Sequence, residues 1–120
     1  MQWTYDSDTS IDFLKTFFHI ALFWEPQEVL QRRDDILTVA GQNGANDLRI
    51  FGSVARGQAN ASSYLDILVR FDPDRTFFDH GGLVMDLQDL LGVKVDVLDE
   101  DGLRPRFRHH VMKEAVPLRD

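Results

Sequence analysis

Apolar positions crowd first between Ile11 and Trp24. Ile11, Phe13, Leu14, Phe17 and Phe18 fall at helical spacing, and Ile20 to Trp24 is apolar all round. Ser10 stands where a helix cap belongs, and the polar residues 1–10 read as a loose arm. A second helical stretch opens at Pro26, which suits a first turn. It carries Val29, Ile36, Leu37 and Ala40 on one face up to Gly41, with Gly44 as a stop signal. Arg32, Arg33, Asp34 and Asp35 lie mostly off that face and read as solvated surface.

The period then changes. A strand is expected over about Asp47 to Phe51, and a second over Tyr64 to Phe71, where alternation is clean. Leu65, Ile67, Val69 and Phe71 point one way; Tyr64, Asp66, Leu68 and Arg70 point the other. Asp72-Pro73-Asp74 ends it. After Gly81-Gly82, the spacing of Leu83, Leu87, Leu90 and Leu91 predicts a helix stopped by Gly92. A third strand is expected over Val93 to Leu98, with Val93, Val95 and Val97 toward the core and Lys94, Asp96 and Leu98 away from it. Pro105 opens a last helix with Phe107, Val111 and Ala115 at four-residue steps. Helices and strands interleaved in 120 residues predict one small α+β domain, a mixed sheet of three or more strands packed on helices, plus an N-terminal helical extension.

Composition narrows the function. The chain has no cysteine, so a disulfide framework and a thiolate metal site are excluded, as suits a reducing cytoplasm. A net charge of -7 argues against nonspecific nucleic-acid binding, which needs a positive surface. The run Phe13 to Trp24 is too short for a bilayer and is broken by Lys15 and His19. Asp6, Asp8 and Asp12 stand where a signal peptide carries positive charge.

The chemistry concentrates between Ile50 and Phe71. Gly52-Ser53 forms a tight turn after the first strand, Ala55-Arg56-Gly57 follows, and ten residues separate Ser53 from Tyr64-Leu65-Asp66. Asp66 and Asp96 each lie opposite the apolar face of their strands. If the strands are neighbours, both carboxylates leave the same side of the sheet, beside the glycine turn. Magnesium binds through a few carboxylates plus substrate phosphates and can clamp an in-line displacement. Gly52 lets the backbone approach a triphosphate, and Ser53 with the amides after it can hold phosphate oxygens. Arg56 either neutralises phosphate charge or orients the loop.

This pattern resembles the signature of the DNA polymerase beta-like nucleotidyltransferases: Gly-Ser, a ten-residue spacer, then Asp-x-Asp. With Ala-Arg-Gly after Gly-Ser it is similar to the MNT-domain antitoxins, minimal nucleotidyltransferases paired with HEPN toxins of the HepT/MntA type. The resemblance covers residues 27–120 and leaves 1–26 as an extension, which either packs on its own domain or docks a partner. It implies metal carboxylates at Asp66 and, by strand context, Asp96, with Gly52 and Ser53 gripping phosphate. It also implies ATP as substrate, Mg2+ as cofactor, and transfer of AMP to a tyrosine of a HEPN ribonuclease toxin in a cytoplasmic hetero-oligomer. Tyr64 occupies the position of a further ligand, where the family has Asp. A phenol of pKa about 10 is uncharged at neutral pH, so weakened catalysis is expected on an intact fold. One alternative is a binding module that neutralises the toxin by complex formation. Another is a small-molecule nucleotidyltransferase, although such enzymes carry an extra helical domain for which this chain lacks residues. His109 and His110 lie about 100° apart on a helix, not at zinc-pair spacing. His19 and His80 read as structural or surface residues, and Arg104, Arg106 and Arg108 as a solvated face.

Overall fold

The computed structural model describes residues 26–60 and 62–118. The expected helix at 11–24, the polar arm before it and His19 lie outside the described residues. The helices are α1 (Pro26–Gln31), α2 (Arg33–Gln42), α3 (Gly52–Ala55), α4 (Phe77–Leu91) and α5 (Pro105–Glu114). The strands are β1 (Ala45–Phe51), β2 (Leu65–Phe71), β3 (Val95–Asp99) and the short β4 (Val116–Pro117), and a 3-10 turn spans Glu100–Gly102. The sheet order is β3-β2-β1-β4. β1 pairs antiparallel with β2 and β4, while β2 and β3 run parallel. The architecture is α+β with a mixed sheet, as the patterning predicts.

One face of the sheet carries the main core. Ile50, Leu65, Ile67, Val69, Val95 and Val97 pack against Val29, Ile36 and Ala40 from α1 and α2 and Leu83, Leu87 and Leu91 from α4. Burying each aliphatic side chain of this size stabilises by roughly 1.5–3 kcal/mol before chain entropy is subtracted. α5 covers part of the other face through a smaller cluster of Phe51, Leu68 and Val111. Glu100 is 4% exposed yet charged, and Arg70, 3.6 Å away, and Arg108 both pair with it. A buried carboxylate is tolerated only with such partners, so this cluster fastens the start of α5 to β2.

Several boundaries differ from the sequence expectation. The first helical stretch is two helices, broken at Arg32, whose backbone leaves helical geometry while its guanidinium donates to the Leu90 carbonyl at 3.2 Å. β1 begins two residues early, and a register shift between Asn46 and Arg49 accompanies Asp47 at φ 54. α4 begins at Phe77, before Gly81-Gly82 rather than after them. Thr76 accepts from the Phe78 amide while Asp79 accepts from the Thr76 amide, closing a capping box. That cap fixes the start, and the Gly pair is carried through the helix. Gly92 ends it in the left-handed conformation, as expected. Val93 lies before β3, although it packs on the core. Phe107 does not join Val111 in the core and is 47% exposed. Arg104, Arg106 and Arg108 are exposed as expected, and Arg108 also pairs with buried Glu100. No helix among the described residues is long and apolar enough to cross a membrane.

Candidate active site

β1 delivers the chain to the site edge at Phe51, which pairs with Asp66 across the antiparallel ladder. At Gly52 the backbone turns with φ +71, a conformation that costs an L side chain about 1–2 kcal/mol. A Cβ built there would lie 2.1 Å from Asp66 Oδ2. Glycine is therefore required twice, by torsion and by space. The single turn α3 follows and places Ser53 and Arg56 beside the strand ends.

The parallel pairing of β2 and β3 sets Leu65 against Val95, Asp66 against Asp96 and Ile67 against Val97. Because side chains alternate along a strand, Asp66 and Asp96 leave the sheet together, on the face opposite the main core. The structure thus brings Gly52, Asp66 and Asp96 together as the sequence predicts. The Asp66 carboxyl is raised from 3.8 to about 6, first by burial and then by the negative charge of Asp96. Arg56 opposes that rise and Glu114 adds to it.

Sequence reasoning missed Glu114. From the end of α5 its Oε1 accepts the Gly52 amide at 3.2 Å and Arg56 Nη1 at 3.1 Å. The spacing to Gly52 is 62 residues, so no local motif announces it. Arg56 is held by this carboxylate and by Gln58 Oε1 at 3.1 Å. Of the two roles open to Arg56 in the sequence, these contacts serve loop orientation.

Tyr64 lies just before β2 and is 48% exposed. The Lys94 ammonium lies 5.5 Å from its ring centroid, a cation–π contact. Among the described residues no three His, Asp or Glu side chains cluster in metal-binding geometry. Two neighbouring carboxylates, Asp66 and Asp96, still suit a hard cation completed by water and phosphate oxygens. His80 is structural: its Nε2 lies 2.9 Å from the Val97 carbonyl and its ring stacks on Phe71. His109 and His110 are exposed.

With this geometry in view, the Polymerase beta, Nucleotidyltransferase family matches residues 27–120. The chain belongs to that nucleotidyltransferase family. This nucleotidyltransferase is 33% identical over 83 residues to the candidate protein adenylyltransferase MJ0435 of Methanocaldococcus jannaschii, covering 69% of this chain and 89% of that protein. It is 33% identical over 73 residues to the protein adenylyltransferase MntA of Thermococcus cleftensis, covering 61% and 74%. The solved structure of a candidate minimal nucleotidyltransferase superposes with a TM-score of 0.70 at 45% identity, covering 78% of this chain and 95% of that one. A toxin–antitoxin crystal structure with AMP-PNP shares the fold, with a TM-score of 0.63 at 20% identity over 72% of this chain and 71% of that one.

Proposed function

We propose that this nucleotidyltransferase transfers AMP from ATP to a hydroxyl of a partner protein, the tyrosine of a HEPN toxin, and so acts as an antitoxin in the cytoplasm. The observation that carries the reading is the register of Asp66 with Asp96 beside the left-handed Gly52. Two relatives bearing protein adenylyltransferase names support the acceptor class. The exposed Phe77, Phe78 and Met85 along α4 give the molecule apolar surface of the kind that protein partners cover.

In this reading Asp66 and Asp96 would hold Mg2+, which supplies charge neutralisation for the triphosphate. Gly52 would let the backbone approach the triphosphate, Ser53 with the amides after it would grip phosphate oxygens, and Arg56 would keep their turn in place. An ionised Asp66 or Asp96 would accept the proton of the attacking hydroxyl. That oxygen bonds to the α-phosphorus as the bond to the β-phosphate oxygen breaks and pyrophosphate leaves.

Tyr64 favours a second reading. A half-exposed phenol with a lysine over its ring stands where the family motif has a carboxylate. The chain would then neutralise its toxin by binding alone. Incubation with labelled ATP, Mg2+ and the toxin encoded beside it separates the two. Label on a toxin tyrosine is expected under the first reading. A tight, inactive and unlabelled complex would replace it with the second.

A further inference from the structure

We propose that Glu114 is a positioning residue of the nucleotide site, which from the last helix fixes the turn of residues 52–57 on which phosphate is gripped. The inference deepens the reading above and takes its ligand, ATP, from it.

α3 has four residues. So short a helix does not hold itself together in water, and this one must be held from outside. β1 anchors its start, and Glu114 supplies the other hold. One oxygen of Glu114 accepts both the Gly52 amide at 3.2 Å and Arg56 Nη1 at 3.1 Å; the other accepts the same Nη1 at 3.3 Å. Arg56 Nε continues to Gln58 Oε1 at 3.1 Å, so the guanidinium spans from α5 to the loop beyond α3. Asp66 Oδ2 occupies the space a Cβ at Gly52 would need, so the turn passes directly beside that carboxylate.

The hold is exerted from a fixed base. α5 is anchored by Val111 in the smaller core cluster and by the pair of Arg108 with buried Glu100. The charge of Glu114 has the wrong sign to attract a nucleotide. What it contributes is geometry: it spends the Arg56 charge on keeping the turn in shape. Arg56 and Glu114 are partly exposed, with side chains 45% and 26% accessible. Pairs of that kind contribute little to global stability, so their loss will be felt locally.

The full chain is compared with Glu114→Ala and Glu114→Gln by hydrogen exchange and by calorimetric titration with ATP and Mg2+. In Glu114→Ala the amides of residues 52–57 are expected to exchange about tenfold faster, with β1 and β2 unchanged, and ATP to bind about tenfold more weakly. Glu114→Gln retains an acceptor for the Gly52 amide and should recover part of both losses. Wild-type exchange at the loop in Glu114→Ala overturns the proposal. So does tighter ATP binding, which would make Glu114 a competitor for the phosphates. If the unmodified chain binds no ATP while the loop still responds, the positioning role stands and the nucleotide reading fails. If Glu114→Ala does not fold, Glu114→Gln decides: loop exchange no faster than wild type overturns the proposal.

Discussion

At the scale of the residue, the site is governed by how few carboxylates it has and how close they stand. Asp66 is raised from 3.8 to about 6, with burial the leading cause and Asp96 second. A carboxyl that holds its proton more tightly when folded makes the folded state less favourable as pH rises from about 4 to about 6, since ionisation then costs more in the native site. Denaturation midpoints measured across that range should therefore carry a downward component in the wild type that Asp66→Asn removes. Cation binding runs the opposite way, because only the ionised form is a ligand. Mg2+ affinity is expected to climb as pH passes 6. Tyr64→Asp restores a carboxylate beside this pair. It should raise Mg2+-dependent AMP transfer by about two orders of magnitude or more, read by labelled ATP and acceptor protein. Equal rates in both forms would remove position 64 from the metal site. The closeness of Gly52 to Asp66 was legible because both belong to one short motif. Glu114 was not, because a contact across 62 residues leaves no periodic trace.

At the scale of the element, the strands bearing the acids were readable and several element ends were not. Alternation over Leu65–Phe71 and Val95–Asp99 named the correct faces because one side of each strand meets the main core. The start of α4 was hidden by Phe77 and Phe78, which are 88% and 90% exposed and give no core signal. The Gly pair inside the helix then looked like its boundary. The true signal was Thr76 with Asp79 three positions on, a reciprocal cap that recruits the donors of the first turn. Thr76→Ala should cost about 1 kcal/mol of unfolding free energy. Chemical denaturation measures this, and Thr76→Ser should keep most of the loss from appearing. β4 escaped notice for a plainer reason: two residues are too few to show a period.

At the scale of the whole molecule, helices cover the main-core face of the sheet, while α5 covers only part of the other and leaves room there for the acids. The net charge of -7 adds a long-range repulsion toward polyanions. Mixing with duplex DNA or RNA at physiological salt should give no mobility shift, and addition of Mg2+ alone should not create one. The alternation of elements and the placing of the acids relative to the core were both legible because they depend on burial. How the ends of α1 and α2 divide was not, because the break at Arg32 is set by a tertiary contact with Leu90.

The side-by-side register of β2 with β3 has a consequence for how the chain tolerates changes of length. Only Gly92, Val93 and Lys94 lie between the end of α4 and β3. One codon added or lost there would slide β3 by a step and turn the carboxylate of residue 96 inward, exchanging it for a valine. The antiparallel ladder with β1 holds β2 in register, so the slip would fall on β3. Lineages of this chain should exclude insertions and deletions from the connection between Leu91 and Val95.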